Sequence, residues 1–204
     1  MITSGNISFY YNDDYTELLL LDPLILSMLD KVSIWCKRQS VTIFVTHVLR
    51  TWAENQAIYK AVNKPPPTSP HLYARAIDIL LLDLQRRHTE TLYPNLANYI
   101  TGAFKGKGNC IDHNIGNGRH LHVQTFEPHK KVMEFQEIIK ILRLYEGEVD
   151  DSWGEGTKSA LKKYFEIYGK NNGNLIAGMS GLFSLFNKFE VKEGEYITIQ
   201  KYNQ

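Results

Sequence analysis

The sequence has few cysteines, little net charge and no long apolar run, and each absence argues against a class of protein. Its two cysteines, Cys36 and Cys110, fit no CxxC spacing. We therefore expect buried free thiols rather than a disulfide scaffold, a thiol redox motif or a cysteine-only zinc site. The formal net charge is +1, which offers neither a footprint for nucleic acid nor a polybasic attraction to a membrane.

No apolar stretch approaches the roughly 20 residues that a membrane-spanning helix needs. The nearest candidate, LLLLDPLIL, is interrupted by Asp22 and Pro23, follows acidic residues and lacks the basic region of a signal peptide. We therefore expect no membrane insertion, no signal peptide and synthesis in the cytoplasm. A target outside the cell would then require another factor to carry or release the protein.

The hydrophobic content of the chain, 43%, is ordinary for a soluble globular protein. Its length allows one domain with a single hydrophobic core, or one medium-sized domain followed by a small domain. Strand-like and helical patterns alternate as far as Pro128, after which helical patterns follow in VMEFQEIIKILRLY, TKSALKKYFEIYG and MSGLFSLFNKF. We therefore predict a mixed domain at residues 1–130 and a three-helix domain with a C-terminal tail at residues 131–204.

Local signals place the elements of the first domain. Asp22 followed by Pro23 is typical of a helix start. Thr51 and Glu54 form a capping-box pattern at the start of a second helix. Strands are predicted in SVTIFVTH, RAIDILLLDL and RHLHVQTF and, more weakly, in CIDH, with a helical stretch around residues 92–104.

Two spacings in the first domain carry information about chemistry. In SPHLYARAID, His71 and Asp78 would lie roughly 23 Å apart on one extended strand, too far to share an ion. The chain must therefore bend between them, and Pro70 favours a bend before a strand that carries Asp78. In RHLHVQ, His120 and His122 project to the same face of a strand.

Three of these side chains are predicted to hold one zinc ion: His71, Asp78 and His122. A His/Asp/His set leaves a fourth position open for water, as catalytic zinc sites do. His120 would then stay beside the metal to move a proton or steady an oxyanion. Spacing leaves alternatives open, because His120 could itself be a ligand and a carboxylate such as Asp112 or Glu54 could do the proton work. The remaining histidines are expected to be structural: His47, His88, His113 and His129.

SPHLYARAID resembles the SxHxxGxAxD signature of the D-Ala-D-Ala carboxypeptidase and L-alanyl-D-glutamate endopeptidase-like zinc metallopeptidases. These enzymes share a fold with lysostaphin-type endopeptidases and the hedgehog signalling domain. Ser69, His71, Ala76 and Asp78 match the signature, whereas Ala74 stands where glycine is usual and places a Cβ at a bend. RHLHVQ resembles the second motif of the same family.

VLRTWAENQAIY is similar to the family's strand, arginine and glutamine-bearing helix. The resemblance assigns Arg50 to substrate binding or carbonyl polarisation, although a structural salt bridge is the other interpretation. In some members a glutamate at the position of Arg119 is the general base, so this chain resembles the branch in which His120 takes that role. The resemblance also permits a substrate contact for Ser69, whose simpler task is to tie the loop backbone.

The resemblance covers most of residues 20–126 and implies an α+β fold, in which a small antiparallel sheet and flanking helices line a zinc cleft. It also implies a zinc (Zn2+) metallopeptidase, either a carboxypeptidase or an endopeptidase, that hydrolyses peptide bonds of bacterial peptidoglycan. The bond that is cut and the native metal stay open, since manganese or cobalt also fits a His/Asp site.

EIIKILRLYEGEVDDSWGEGTKSALKKYFEIYG is similar to the three-helix peptidoglycan-binding module, whose pattern is D-G-x-F-G-x-x-T-x-x-A-hydrophobic. The corresponding residues are Asp150, Asp151, Ser152, Trp153, Gly154, Thr157, Ala160 and Leu161. Asp151 replaces the usual glycine, and Trp153 could either stack on sugar or belong to a core. Such a module would hold the enzyme on the wall, whereas a degenerate copy would simply pack against the catalytic domain.

Two functions compete on these grounds. The first is a monomeric endolysin or virion-associated wall hydrolase, with peptidoglycan as its partner, that acts after holin-type release or as a virion component. The alternative is a non-catalytic metal-binding structural or wall-binding module of a virion with the same fold. Intact His120 and Arg50 favour the enzyme, whereas Ala74 and Asp151 leave room for the alternative.

Overall fold

The computed structural model of the chain describes residues 7–9, 17–61, 63, 65, 68–114, 118–126, 131–164, 166–167 and 199–201. The helices in these residues are α1 (Pro23–Arg38), α2 (Trp52–Ala61), α3 (Tyr93–Ala103), α4 (Lys131–Ile141) and α5 (Glu155–Tyr164). The strands are β1 (Ile7–Phe9), β2 (Thr42–His47), β3 (Ala76–Leu82), β4 (Gly108–Asn114), β5 (Arg119–Thr125) and β6 (Ile199–Lys201). In this part of the chain, no helix has the length and apolar character that a membrane crossing requires.

The strands form one sheet in the order β4-β5-β3-β2-β1-β6. Neighbouring strands from β4 to β2 are antiparallel, which confirms the predicted α+β fold with a small antiparallel sheet. β1 pairs with β2 in parallel, and β6 pairs with β1 in parallel. Nothing in the sequence predicts β1 and β6, because three residues are too few to carry a strand periodicity.

Helix α1 begins where the sequence predicts. The Asp22 carboxylate accepts a 2.7 Å hydrogen bond from the Leu24 N–H, and Pro23 is the first residue of the helix. Met28 and Val32 lie on its buried face, which packs against α3 and the sheet. The helix therefore covers the side of the sheet that supports the core.

Helix α2 begins with the predicted capping box. The Thr51 N–H donates to Glu54 Oε2 at 2.7 Å, and the Glu54 N–H donates to Thr51 Oγ1 at 3.2 Å. Each side chain thus accepts a hydrogen bond from the backbone N–H of the other residue. Together the two bonds fix the direction in which the chain enters the helix. Arg50 immediately precedes this box, so its backbone is held in place.

Both cysteines are free and buried, as expected. Burial raises the pKa of the Cys36 thiol to about 12. Burial also raises the pKa of Cys110 to about 12, with a smaller contribution from the charge of Asp112. Protonated, buried thiols are poor nucleophiles, so neither cysteine is a candidate for catalysis.

A single hydrophobic cluster contains residues from both sides of residue 130. The rings of Phe135 and Trp153 lie 6.2 Å apart within it. Trp153 is fully buried, so it is a core residue and cannot stack on a sugar. The third predicted helix, residues 179–189, falls outside the described residues. The three-helix module is therefore not confirmed, and the boundary near residue 130 stays a prediction.

Candidate metal centre

The predicted bend between His71 and Asp78 is present. A single 3-10 turn, Pro70–Tyr73, carries His71. Ala74 ends the turn in the left-handed region, with φ of 58°. Strand β3 begins two residues later and carries Asp78, so the turn brings His71 back towards the strand that follows it.

His122 reaches the same place from the neighbouring strand. Asp78 and His122 lie directly opposite each other in the antiparallel pair of β3 and β5. Opposed residues in such a pair have side chains on one face with Cβ atoms about 5 Å apart. The pairing register of the sheet, rather than the local sequence, therefore joins these two residues.

The three predicted ligands form a compact buried group around one carboxylate oxygen. Asp78 Oδ1 lies 3.2 Å from His71 Nε2 and 2.7 Å from His122 Nδ1. One ligand atom from each residue lies within 4.8 Å of the others. All three residues are buried, which is the environment in which coordination competes well with solvent.

The outer partners of the two imidazoles fix which nitrogen faces the group. His71 Nδ1 lies 2.8 Å from the Val48 carbonyl oxygen and donates its proton there, because a carbonyl can only accept. His122 Nε2 contacts Gln124 Oε1 at 3.0 Å. His71 Nε2 is left buried, without a hydrogen bond to any described residue. An inward nitrogen of this kind, backed by an outer acceptor, is the arrangement of a metal-ligating histidine.

The protonation states in the group also suit a metal ion. Burial lowers the pKa of His71 to about 4, despite the opposing charge of Asp78. Burial alone would raise the pKa of Asp78, but the charge of His71 and the hydrogen bond from His122 hold that pKa well below its usual range. A neutral imidazole and an ionised carboxylate are the forms that coordinate a metal. His71 and Asp78 are therefore in the forms that coordinate a cation.

Arg50 pairs with the other oxygen of the same carboxylate. Its NH2 donates to Asp78 Oδ2 at 2.9 Å, and both side chains are almost fully buried. A guanidinium in this position orients the carboxylate, so that Oδ1 points towards the histidines. Arg50 therefore forms a structural salt bridge, the second of the two roles considered for it. It also lines the cleft beside the metal group.

His120 lies at the edge of the group rather than inside it. Its Nδ1 donates to the Gly118 carbonyl at 2.9 Å, which leaves Nε2 on the side of Asp78, 3.8 Å from Oδ1. Its side chain keeps 22% of its surface exposed, whereas His122 keeps 11%. His120 is therefore close to the metal group and open to the cleft.

The two carboxylates considered for proton transfer are engaged elsewhere. Asp112 accepts two hydrogen bonds from Arg119, at 2.9 Å to Oδ1 and 2.6 Å to Oδ2. Hydrogen bonding from Arg119 is the main reason that the pKa of Asp112 is lowered. Glu54 is bound by the capping box and by Lys158 Nζ at 2.9 Å. Neither carboxylate is free to act as a base in this arrangement.

Two histidines that were expected to be structural lie in the site. His113 stacks on His120 with ring centroids 5.7 Å apart and meets His122 edge-on at 5.4 Å. His47 Nδ1 lies 3.9 Å from Asp78 Oδ2. His113 and His120 are opposed residues of β4 and β5, and His47 opposes Asp78, so strand pairing brings them in. His129 lies outside the described residues.

The metal group opens into a cleft of about 380 Å³. The 3-10 turn, α2 and the exposed face of the sheet contribute its walls. Ser69 lines the cleft, and its hydroxyl accepts a 3.4 Å hydrogen bond from the His71 N–H. Ser69 therefore binds the loop backbone, as expected. Its position in the cleft wall would also allow a contact with substrate.

Comparison of the chain with protein-family models, curated proteins and solved structures gave no match. The resemblance to the D-Ala-D-Ala metallopeptidases therefore depends on the motif residues and on the geometry that they adopt. What the structure adds to those residues is a buried His71, Asp78 and His122 group that can hold a metal ion.

Proposed function

We propose that the chain is a zinc-dependent peptidase that hydrolyses peptide bonds of bacterial peptidoglycan. The observation that carries this function is the buried approach of His71 Nε2, Asp78 Oδ1 and His122 Nδ1 beside an open cleft. Two imidazoles and one carboxylate with room for water suit a catalytic zinc ion. The three motifs, which occur in the order of the metallopeptidase family, support peptidoglycan as the substrate.

A bound zinc ion would supply an acidified water and polarise a substrate carbonyl. The chain's own groups prepare the place for it. The Val48 carbonyl and Gln124 orient the two imidazoles, and Arg50 orients the Asp78 carboxylate. Such outer partners hold ligands in one rotamer, so that less freedom is lost when a metal binds.

His120 is the group assigned to proton transfer. Because its Nδ1–H is committed to the Gly118 carbonyl, Nε2 is the acceptor and faces the metal group. An imidazole in that position can take a proton from the attacking water and deliver it to the departing amine. Asp112 and Glu54 are both held by cations, which supports His120 over either carboxylate.

Arg50 and Ser69 are assigned to the substrate. Arg50 Nε is buried without a hydrogen bond to any described residue, although the same guanidinium holds Asp78 through NH2. A permanent positive charge at the cleft wall favours a carbonyl or carboxylate of a peptide. The Ser69 hydroxyl lies beside His71 on the same wall and can accept or donate to the peptide backbone.

We further propose that the protein is a monomer that acts as an endolysin or a virion-associated wall hydrolase, without a nucleic-acid partner. It would be made in the cytoplasm and reach the wall after holin-type release or as part of a virion. The near-balanced charge supports recognition of the wall by shape and local groups, since it provides no long-range attraction to a polyanion.

A second candidate is a non-catalytic metal-binding or wall-binding virion module with the same fold. The observation in its favour is the 2.9 Å ion pair between Arg50 and Asp78. This pair engages one arm of the guanidinium that a peptidase would turn towards its substrate. Binding without hydrolysis needs only the buried ligand group, which would remain intact.

The two candidates are separated by mass spectrometry of muropeptides released from purified peptidoglycan, with bound metal quantified in the same samples. New peptide ends that appear with zinc and vanish after chelation would support the peptidase and identify the bond. Stoichiometric zinc with several peptidoglycan chemotypes left intact would favour the binding module. Unchelated protein that binds no zinc would overturn both candidates.

A matched pair of variants tests the assignment of His120. His120→Ala should keep its zinc and lose about 10²–10⁴-fold in rate, the usual contribution of a general acid or base. His88→Ala serves as the control, because His88 is a histidine of the same cleft that lies outside the metal group. Equal rates for the two variants would remove His120 from the mechanism.

A further inference from the structure

The turn that carries His71 is held by hydrogen bonds on both sides of the imidazole. Ser69 Oγ accepts from the His71 N–H at 3.4 Å, and His71 Nδ1–H donates to Val48. The Arg50 N–H donates to the His71 carbonyl at 3.4 Å. All of these partners come from the mixed part of the chain, between residues 48 and 71.

The next carbonyl of the turn is held by a residue from the helical region. The Trp153 N–H donates to the Leu72 carbonyl at 2.9 Å, and Leu72 is itself buried. The bond is made to the residue directly after the metal ligand, so it constrains the Leu72–Tyr73 peptide plane, one residue beyond His71. It is shorter than the 3.4 Å hydrogen bonds that Ser69 and Arg50 make with the His71 backbone, and it is close in length to the 2.8 Å bond from His71 Nδ1 to Val48.

Trp153 is in turn fixed within the helical region. Its indole is fully buried against Phe135, and its Nε1 makes no hydrogen bond to any described residue. A buried indole N–H without a partner is unfavourable, so packing rather than polarity keeps the ring in this position. The indole therefore acts as an apolar anchor for the backbone that holds Leu72.

A buried glutamine fixes the turn that leads into Trp153. Gln136 Nε2 donates to Asp150 Oδ1 at 2.8 Å and to the Ser152 carbonyl at 3.0 Å. Gln136 Oε1 accepts from the backbone N–H groups of Asp150 and Asp151, both at 3.0 Å. Through these bonds helix α4 sets the position of the Trp153 backbone.

A second tie joins the helical region to the segment that carries Arg50. Lys158 on α5 donates to Glu54 at 2.9 Å, and Glu54 caps α2 through Thr51. The two ties therefore reach the His71 turn and the helix that follows Arg50. The side chains of His71 and Arg50 both contact Asp78. A module that served only as a wall anchor would need no fixed contact with either segment.

We infer that Trp153 is a positioning residue for the metal ligand His71 and that residues 131–164 brace the metal centre. This inference rests on the proposed metal site. It assigns the helical region to the support of that site. The brace restricts the His71 turn before a metal arrives, so it raises metal affinity by reducing the ordering that binding requires. The indole supplies the anchor and the backbone N–H supplies the contact.

The test measures zinc affinity of the full chain by competition with a chromogenic chelator, together with the visible spectrum of the cobalt-substituted protein. Trp153→Ala removes the anchor, and Trp153→Phe keeps a large ring in its place. Ile139→Ala is the control, because Ile139 is a fully buried residue of the same helical region and its side chain lies in the same hydrophobic cluster. Unfolding of each metal-free variant is recorded so that lost stability and lost affinity are compared directly.

Trp153→Ala should weaken zinc binding by about 10- to 100-fold, the range found when outer partners of metal ligands are removed, and should alter the cobalt spectrum. Trp153→Phe should restore affinity to within about threefold, and Ile139→Ala should change it by less than that in spite of lower stability. Equal losses of affinity for Trp153→Ala and Ile139→Ala, or no loss in either, would overturn the brace. If Trp153→Ala does not fold, Gln136→Met, which frees the turn before Trp153, carries the same expectations.

Failure of the brace and failure of the peptidase give different results. The affinity measurements need no peptidoglycan, so tight zinc binding that depends on Trp153 supports the brace even if every muropeptide stays intact. Conversely, the protein could cleave peptidoglycan with zinc while Trp153→Ala leaves its zinc affinity unchanged. That result would support the peptidase and overturn the brace.

Discussion

Two residues stand where the motifs that they resemble have glycine, and both adopt the conformation that favours glycine. Ala74 has φ of 58° and Asp151 has φ of 60°. A non-glycine residue in this region is strained by about 1–2 kcal/mol. The bend before β3 therefore keeps its glycine-like geometry without the glycine, and the departure at Ala74 does not displace His71 from Asp78.

Replacing Ala74 by glycine should leave stability almost unchanged. Glycine removes the left-handed strain of about 1–2 kcal/mol, but it loses one buried methyl, worth about 0.8 kcal/mol, and makes the unfolded chain more flexible by about 0.5–1 kcal/mol. The free energy of unfolding from urea titration should thus shift by less than about 1 kcal/mol.

The matched control for that substitution is Ala97→Gly in the interior of α3, where Ala97 is also buried. There glycine relieves no strain, so the lost methyl and the lower helix propensity should together destabilise by about 2 kcal/mol. If both variants lose the same stability, the conformation of Ala74 is not strained as its φ indicates.

His113 should act through its ring rather than through its nitrogens. It stacks on His120 and meets His122 edge-on, and aromatic contacts of this kind are worth about 0.5–1.5 kcal/mol each. We expect His113→Phe to keep peptidase kcat within about threefold and His113→Ala to lose about tenfold, because the His120 ring gains freedom. Equal losses in both variants would instead assign chemistry to a His113 nitrogen.

The residues of the site differ in how far the sequence could predict them. His71, Asp78 and His122 follow from spacing and motif, and the capping box of Thr51 with Glu54 follows from local chemistry. His47 and His113 do not, because only the register of the paired strands places them beside Asp78 and His120. Pairing register is a long-range property, and no local pattern of the chain specifies it.

At the scale of elements, α4 depends on a side chain that lies beyond its own end. Asp151 Oδ1 accepts a 3.0 Å hydrogen bond from the Met133 N–H in the first turn of that helix. The sequence predicts α4 from its apolar period, but it cannot predict this cap because the carboxylate comes from the turn before α5. Asp151 adopts the left-handed backbone, in which aspartate is enriched among non-glycine residues.

Asp151→Asn should be nearly neutral, since asparagine tolerates the left-handed region and keeps an acceptor for Met133. Asp151→Ala should destabilise by about 1–2 kcal/mol, chiefly because the cap on Met133 is lost. Thermal unfolding of the two variants measures the difference. Equal melting temperatures would show that the Met133 contact stabilises nothing.

The start of α2 should become less stable in acid. Burial tends to raise the pKa of Glu54, but hydrogen bonds from Lys158 and Thr51 lower it below its usual value. A lowered folded-state pKa contributes stability above the unfolded pKa of about 4.3, and that stability is lost as pH falls through the folded value. The stability advantage of wild type over Glu54→Gln should therefore be largest near pH 7 and shrink below about pH 4, whereas a constant difference would contradict the ion-pair origin.

At the scale of the whole molecule, metal binding should raise the melting temperature. Zinc at about 100 times its dissociation constant stabilises the folded state by about 2.7 kcal/mol, which corresponds to about 5–11 °C for a chain of this size. Differential scanning fluorimetry with and without chelator measures this shift. His122→Gln should abolish the shift, because the amide can still contact Asp78 but replaces a strong zinc ligand; a shift that persists would place the metal elsewhere.

The bond between Trp153 and Leu72 also concerns the order in which the protein is made. All three metal ligands leave the ribosome before the residue that completes the His71 turn. At about 5–20 residues per second, the roughly 80 residues between the two partners take about 4–16 s to synthesise. His122 is made about 31 residues before Trp153, so for roughly the last 1.5–6 s of that interval the nascent chain holds every ligand while the Leu72 carbonyl lacks its partner. Final ordering of the metal centre must therefore wait for the helical region to emerge.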